Sequence, residues 1–305
     1  MGDGATARAK TLWRRAWDSP ILLLTLTTLI WAGHALVGRL AVGEIGPLTL
    51  VFLRWSVALI AILIAARNTI HADFAAIKGR WLMVSAMGAL GYTGFNALFY
   101  AAAHYTSAIN MSLIQGSIPA LVMIGASLAF RVHASPLAWI GALLTMAGVA
   151  IIAAQGDFAK LAQANVNIGD AMLLLACIFY AFYTLGLRLR PKTSPFGFLA
   201  AMALAALVTS VPLFAFEIVN GGFIWPTWKG LLVLIYASLG PAFLSQIFFM
   251  RGVELIGPSR AGVFVNLVPV FGALMAVALL GEPFAVYHVV ALGLVVAGIV
   301  VAQRR

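Results

Sequence analysis

The sequence predicts an all-α integral membrane protein, with ten transmembrane helices arranged as two inverted five-helix repeats and both termini in the cytoplasm. Three observations carry this reading. Of 305 residues, 63% are apolar and only 9% are Asp, Glu, Lys or Arg, against roughly 25% charged in a soluble domain. The apolar residues suffice for roughly ten spans of about 20 residues each. The basic residues stand between the apolar runs and alternate from side to side, and the helix pattern returns after about half the chain.

Residues 1–19 carry Arg8, Lys10, Arg14 and Arg15 and form a cytoplasmic segment ahead of the apolar stretch Pro20 to Leu40. That stretch is too long for a signal-peptide core and has no small-x-small exit, so it reads as a retained first helix. Runs bounded by charge, Gly or Pro place helices at about 20–40, 47–66, 81–102, 107–130 and 136–154, the first repeat being 20–154. An external linker, 155–168, leads to the second repeat, 169–302, with helices at about 169–187, 195–217, 228–250, 258–280 and 284–302; residues 303–305 end the chain in the cytoplasm. This arrangement puts 15 of the 19 basic residues inside, leaves Arg39, Lys160 and Lys229 outside, and buries Arg54 within a span. Glu44, Asp157, Asp170, Glu217 and Glu282 fall on or near the outer side, and no span has a carboxylate near its centre.

A net charge of +10 does not indicate a nucleic-acid partner, because the cations are scattered rather than gathered on one solvated face. The single cysteine, Cys177, supports neither an internal disulfide nor a thiolate metal site. No metal and no cofactor is expected. Without a His-Glu-x-x-His run, an intramembrane aspartate pair or a Walker loop, an enzyme or an ATP-driven pump lacks its parts.

Sliding the chain by 150 residues pairs Pro119 with Pro269, Ala126 with Ala276, Leu144 with Leu294, Ala147 with Ala297 and Gly148 with Gly298. A slide of 149 pairs Leu24 with Leu173, Leu26 with Leu175, Trp31 with Tyr180, Leu36 with Leu185 and Arg39 with Arg188. Five helices per half is an odd number, so the second half enters the membrane upside down. In that plan a binding site lies near the midplane between the halves.

Three stretches, GEIGPLTLVFLRW (43–55), YTSAINMSLIQGSIPALVMI (105–124) with GALLTMAGVAII (141–152), and IGPSRAGVFVNLVPVFGALMAVALLGEP (256–283), resemble the EamA family of the drug/metabolite transporter superfamily over nearly the whole chain. The central Pro269, the closing Gly281-Glu282 and Gly298 follow the family pattern, whereas Arg131-Val132 stands where Gly-Glu is expected. The aromatic-rich helices are similar to those of YddG-type amino-acid exporters. The resemblance implies a ten-helix basket with a central cavity, a multi-pass protein of the cell (inner) membrane, and export of a small molecule such as an amino acid or metabolite.

Pro119 and Pro269 each lie about 11 to 12 residues into their spans, roughly 17 Å deep. Each frees a backbone oxygen, on Gln115 and Val265, and such groups persist only beside protein or a wet cavity. Gln115 and Asn266 stand next to them, so the two prolines are read as kink or gating positions and the two amides as substrate contacts. Trp31 and Tyr180 are partners under the repeat, with His34 and Tyr183 on the same faces one turn on. Tyr92 reaches the same depth and Asn96 shares its face. Phe243 and Gln246 would line the inner part of the path if Gln246 faces inward. Together Trp31, His34, Tyr92, Asn96, Gln115, Tyr180, Tyr183, Gln246 and Asn266 form the expected substrate site, suited to a neutral or aromatic amino acid. Arg54 is left outside it, with a structural tie to carbonyls or an outer carboxylate as the expected role and attraction of a substrate carboxylate as the alternative. His34 is the titratable group beside the site, and facilitated diffusion and proton antiport both stay open. His288 is expected to pack. The Gly141, Thr145 and Gly148 stripe suits helix packing within a monomer or across a homodimer. Drug or cationic-metabolite efflux and a non-transporting membrane scaffold are the rival functions.

Overall fold

A computed structural model describes residues 16–67, 70–131, 135–157, 167–256, 261, 264–265 and 267–302. Seven helices among them are long and apolar enough to cross a membrane, and three more apolar helices are shorter. In chain order the first half holds α1 (Pro20–Leu40), α2 (Pro47–Ala66), the short α3 (Ile70–Lys78), α4 (Trp81–Ala102), α5 (Ala108–Phe130) and α6 (Pro136–Ala153). The second half holds α7 (Ile168–Gly186), α8 (Pro195–Val219), α9 (Trp228–Ile256), α10 (Val268–Leu280) and α11 (Val286–Ala302).

The helix starts are written in local chemistry. Ser19, Ser107, Ser135, Asn167, Ser194 and Thr227 each cap a helix N-terminus with their side-chain oxygen. In α1, α2, α6 and α8 a proline follows in the first turn, where its missing N–H costs no helical bond. Large apolar side chains such as Leu128, Leu143 and Val286 point outward, and Trp81, Trp225 and Trp228 are exposed at span ends. That surface suits lipid with aromatic belts at its borders.

Packing follows the repeat. The C-terminal part of α9 packs on α1 as that of α4 packs on α7; α10 packs on α1 as the second part of α5 packs on α7. Counterparts also meet directly, α2 with α8, α6 with α11 and the first part of α5 with α10. The first two of these pairs run antiparallel. Glu217, near the end of α8, accepts from the N–H groups of Leu48 (3.0 Å) and Thr49 (2.7 Å) at the start of α2. Asp73, just after α2, accepts from Ser194 N (2.9 Å) at the start of α8. Along α6 and α11, Gly141 meets Gly298 and Ala302 while Gly148 meets Ala291 and Val295. Antiparallel counterparts are the signature of inverted halves.

The connection after α2 contains α3, a nine-residue helix between the expected spans 47–66 and 81–102. The Gly141, Thr145 and Gly148 stripe faces α11 of the same chain: a Cβ on Gly141 would lie 2.4 Å from the Gly298 carbonyl oxygen. The helix expected from about residue 258 is described as α10 only from Val268, since residues 257–260, 262–263 and 266 lie outside the described set.

Candidate functional site: a cavity between the halves

Four interruptions of regular helix surround the centre of the molecule, two in each half. α5 breaks between Gln115 and Ile118, where Gly116 N and Ser117 N bond three residues back, and Pro119 sits in the first turn of the resumed helix. Pro269 holds the same place in α10, with Leu267 N bonding Phe264 O just before it. The prolines thus open half-helices rather than bend continuous ones. α4 widens into a π-segment at Ala89–Gly94, and α9 does so at Gly240–Leu244. A π-turn inserts one residue and releases the regular ladder, which displaces side chains toward a site. The sequence carries a signal for both, Gly91 with Gly94 and Gly240 with Pro241, that helix periodicity alone did not reveal.

These breaks border a cavity of about 160 Å³, comparable to one of roughly 150 Å³ that holds a benzene ring. Its wall includes Trp31 and His34 from α1, Tyr92 and Asn96 from α4, and Gln115 and Pro119 from α5. The second half adds Tyr180 and Tyr183 from α7, Gln246 from α9 and Pro269 from α10. The site residues named from sequence therefore meet at one place, except Asn266, which lies outside the described residues, and Phe243, which is not on the wall. The wall also includes Arg54, Trp55, Phe95, Pro241 and Ala242, none of which sequence reasoning placed there.

Rings run along the wall in unbroken contact. Trp55 stacks on Tyr92 at 4.5 Å between centroids, and Tyr92 meets Tyr183 at 5.3 Å. Tyr183 meets Tyr180 at 5.2 Å, and Tyr180 meets Phe95 at 5.3 Å. Gly91 makes this possible, because a Cβ there would fall 2.3 Å from Tyr183 Cβ. Trp31, also on the wall, tilts against Phe249 at 5.3 Å. The chain of rings gives the cavity a large apolar surface.

The polar part lies in the first half. Arg54 Nη1 donates to Tyr100 Oη (2.9 Å), to His34 Nε2 (3.1 Å) and to Asn96 Oδ1. Asn96 Nδ2 donates to Tyr92 O at 2.5 Å, which fixes the amide with its oxygen toward the arginine. A guanidinium only donates, so His34 Nε2 is an acceptor and the ring proton belongs on Nδ1. Tyr100 Oη, 2.8 Å from the same nitrogen, completes the triangle. The expectation for Arg54 is corrected here: its hydrogen-bond partners among the described residues are the neutral side chains of His34, Asn96 and Tyr100, neither a backbone carbonyl nor a carboxylate. The carboxylates expected on the outer side are occupied elsewhere, Glu217 on α2, Glu282 on the N–H groups of Ala108 and Ile109, and Asp170 on Thr106. Gln115 Nε2 bonds back to Met111 O at 3.0 Å, which leaves its oxygen as the available atom. His288 is buried and accepts from Ala285 N through Nδ1 at 3.0 Å.

A second hollow of about 320 Å³ lies between α5, α6 and α11. Its one polar lining group, Thr145, donates to Gly141 O within its own helix, so this space offers a solute only apolar contact.

The model of the EamA-like transporter family matches residues 18–154 and again residues 167–303. A Bacillus subtilis protein named uncharacterized transporter YyaM is 27% identical over 226 residues, 71% of each chain. An uncharacterized transporter of Archaeoglobus fulgidus is 26% identical over 266 residues, 86% of this chain and 89% of its own. A solved crystal structure shares the fold with a TM-score of 0.63 at 18% identity, covering 93% of this chain and 96% of the other.

Proposed function

The chain belongs to the EamA-like transporter family, and from that premise we propose that it moves small neutral or aromatic amino acids and related metabolites across the cell (inner) membrane, in the direction of export. In this reading all ten apolar helices span the bilayer with both termini cytoplasmic, and the halves rearrange about the central cavity to give alternating access. The observation that carries it is the cavity itself: rings contributed by both halves converge on one space together with Asn96, Gln115 and Gln246. Rings accept an apolar side chain, while amides and released carbonyls meet the polar ends of an amino acid. A scaffold has no use for four helix interruptions arranged in matching pairs around polar groups at mid-depth.

The test is uptake of labelled phenylalanine, labelled threonine and an unrelated cationic dye into liposomes that contain the purified protein, with and without a pH gradient. Saturable amino-acid flux is expected. Dye flux alone would move the assignment to cation efflux, and absence of all flux would defeat the amino-acid reading. Acceleration by an imposed proton gradient would mark antiport, and indifference to it facilitated diffusion.

A further inference from the structure

Arg54 is the one charged group on the cavity wall among the described residues, and it is held there without a counter-ion. It is 4% exposed. A cation at this depth is costly and ordinarily pairs with an anion or with backbone carbonyls. Here the hydrogen-bond partners among the described residues are an imidazole, an amide oxygen and a phenol, and all three crowd onto Nη1. Nε is buried with no acceptor, and no hydrogen bond ties Nη2 among the described residues. The edge left without a protein acceptor is therefore the Nε–Nη2 edge, whose two parallel N–H groups match the two oxygens of a carboxylate once the covering side chains give way to the solute.

From this geometry we infer that Arg54 binds the carboxylate of the transported solute, and that the carboxylate, not the amine, is the group the site requires. The inference rests on the transport reading above and deepens it. Among the described residues no Asp or Glu stands on the wall to neutralise an ammonium, which meets ring faces and amide oxygens there. Arg54 Cζ lies 5.2 Å from the Trp55 ring centroid, so the guanidinium stacks against the start of the aromatic chain. A bound acid would put its carboxylate toward α1, α2 and α4 and its apolar part toward Tyr180 and Tyr183 of α7. His34, Asn96 and Tyr100 act as positioning residues that hold one end of the guanidinium and leave the other for the solute.

The experiment compares three competitors of phenylalanine flux in proteoliposomes: 3-phenylpropanoate, which keeps the acid and lacks the amine, and phenethylamine and phenylalaninamide, which keep the amine and lack the acid. The expected result is strong competition by 3-phenylpropanoate and little by the other two. Arg54→Gln is expected to raise the KM for phenylalanine at least about tenfold, with Arg54→Lys between it and the parent. Equal competition by phenethylamine and 3-phenylpropanoate, or an unchanged KM in Arg54→Gln, would overturn the inference while leaving transport intact.

Thermal melting of the purified parent and of Arg54→Gln, each with 3-phenylpropanoate or phenethylamine, separates the inference from the transport reading. A shift given by the acid alone and lost in the variant would uphold the Arg54 site even if no flux were found. No shift by the acid in the parent, with no flux, would sink both. Should Arg54→Gln fail to fold, the competitor series on the parent still decides.

Discussion

The two halves share a backbone plan and differ in chemistry. Counted from the prolines that open α2 and α8, Arg54 falls opposite Met202; counted from the ends of the π-segments, Asn96 falls opposite Gln246. Slid by 149 residues, His34 matches Tyr183 and Trp31 matches Tyr180. The first half thus brings the cation and the groups that hold it, whereas the matching places in the second half bring a thioether, an amide that bonds only to Pro241 O of its own helix (3.4 Å), and two phenols. Backbone symmetry supplies two half-helix breaks and two π-segments around one space, and side-chain asymmetry gives that space a polar pole and an aromatic one. A symmetric cavity would bind a solute in two orientations; this one favours a single orientation.

Replacing each member of a matched pair in turn would break or sharpen this comparison. Asn96→Leu removes an acceptor from Arg54, and is expected to raise the KM for phenylalanine about tenfold. Gln246→Leu, whose amide holds no charge, should change it by no more than about threefold; flux kinetics of the two variants side by side would show the asymmetry, and equal effects would erase it. The rings predict the opposite pattern. Trp31→Ala and Tyr180→Ala remove ring area contributed by different halves, and each is expected to weaken phenylalanine more than threonine, by about fivefold in the KM ratio.

The interhelical carboxylates extend the comparison beyond the cavity. Glu217→Ala and Asp73→Ala remove matched caps from α2 and α8, and each should cost about 1 kcal/mol in unfolding measured in detergent. Unequal losses would mean that the inverted caps are not equivalent. The smallest effect is expected where the repeat itself departs. Gly281 ends α10 with φ 65°, and Arg131 ends α5 with φ 51°, the same left-handed conformation with a side chain present. Arg131→Gly should therefore stabilise the fold by about 0.5–1 kcal/mol, seen as a higher melting temperature.

Much of the architecture was legible because a bilayer permits few ways to satisfy a backbone. The apolar runs from Pro20, Pro47 and Trp81 end where α1, α2 and α4 end. The positions of Trp31, Tyr92, Gln115 and Tyr180 on one wall followed from depth along a helix together with the repeat. Arg54 was misplaced because depth in a single helix does not say which neighbour a side chain faces. The missing signal was negative: no carboxylate in any span stands at a matching depth to pair with it. The π-segments escaped for a related reason, since a register shift of one residue leaves composition unchanged and shows only as Gly91 with Gly94 and Gly240 with Pro241. α3 escaped because nine residues bounded by charge read equally well as loop.

The central claim is that the solute occupies the space between the halves, and a cysteine at Gln115 tests it most directly. Cys177 is the only cysteine of the chain and is buried, so Cys177→Ala supplies a silent background. Gln115→Cys in that background should react with a small methanethiosulfonate reagent, and phenylalanine should slow the reaction in a saturable way. Labelling that proceeds at the same rate at saturating phenylalanine would contradict the claim.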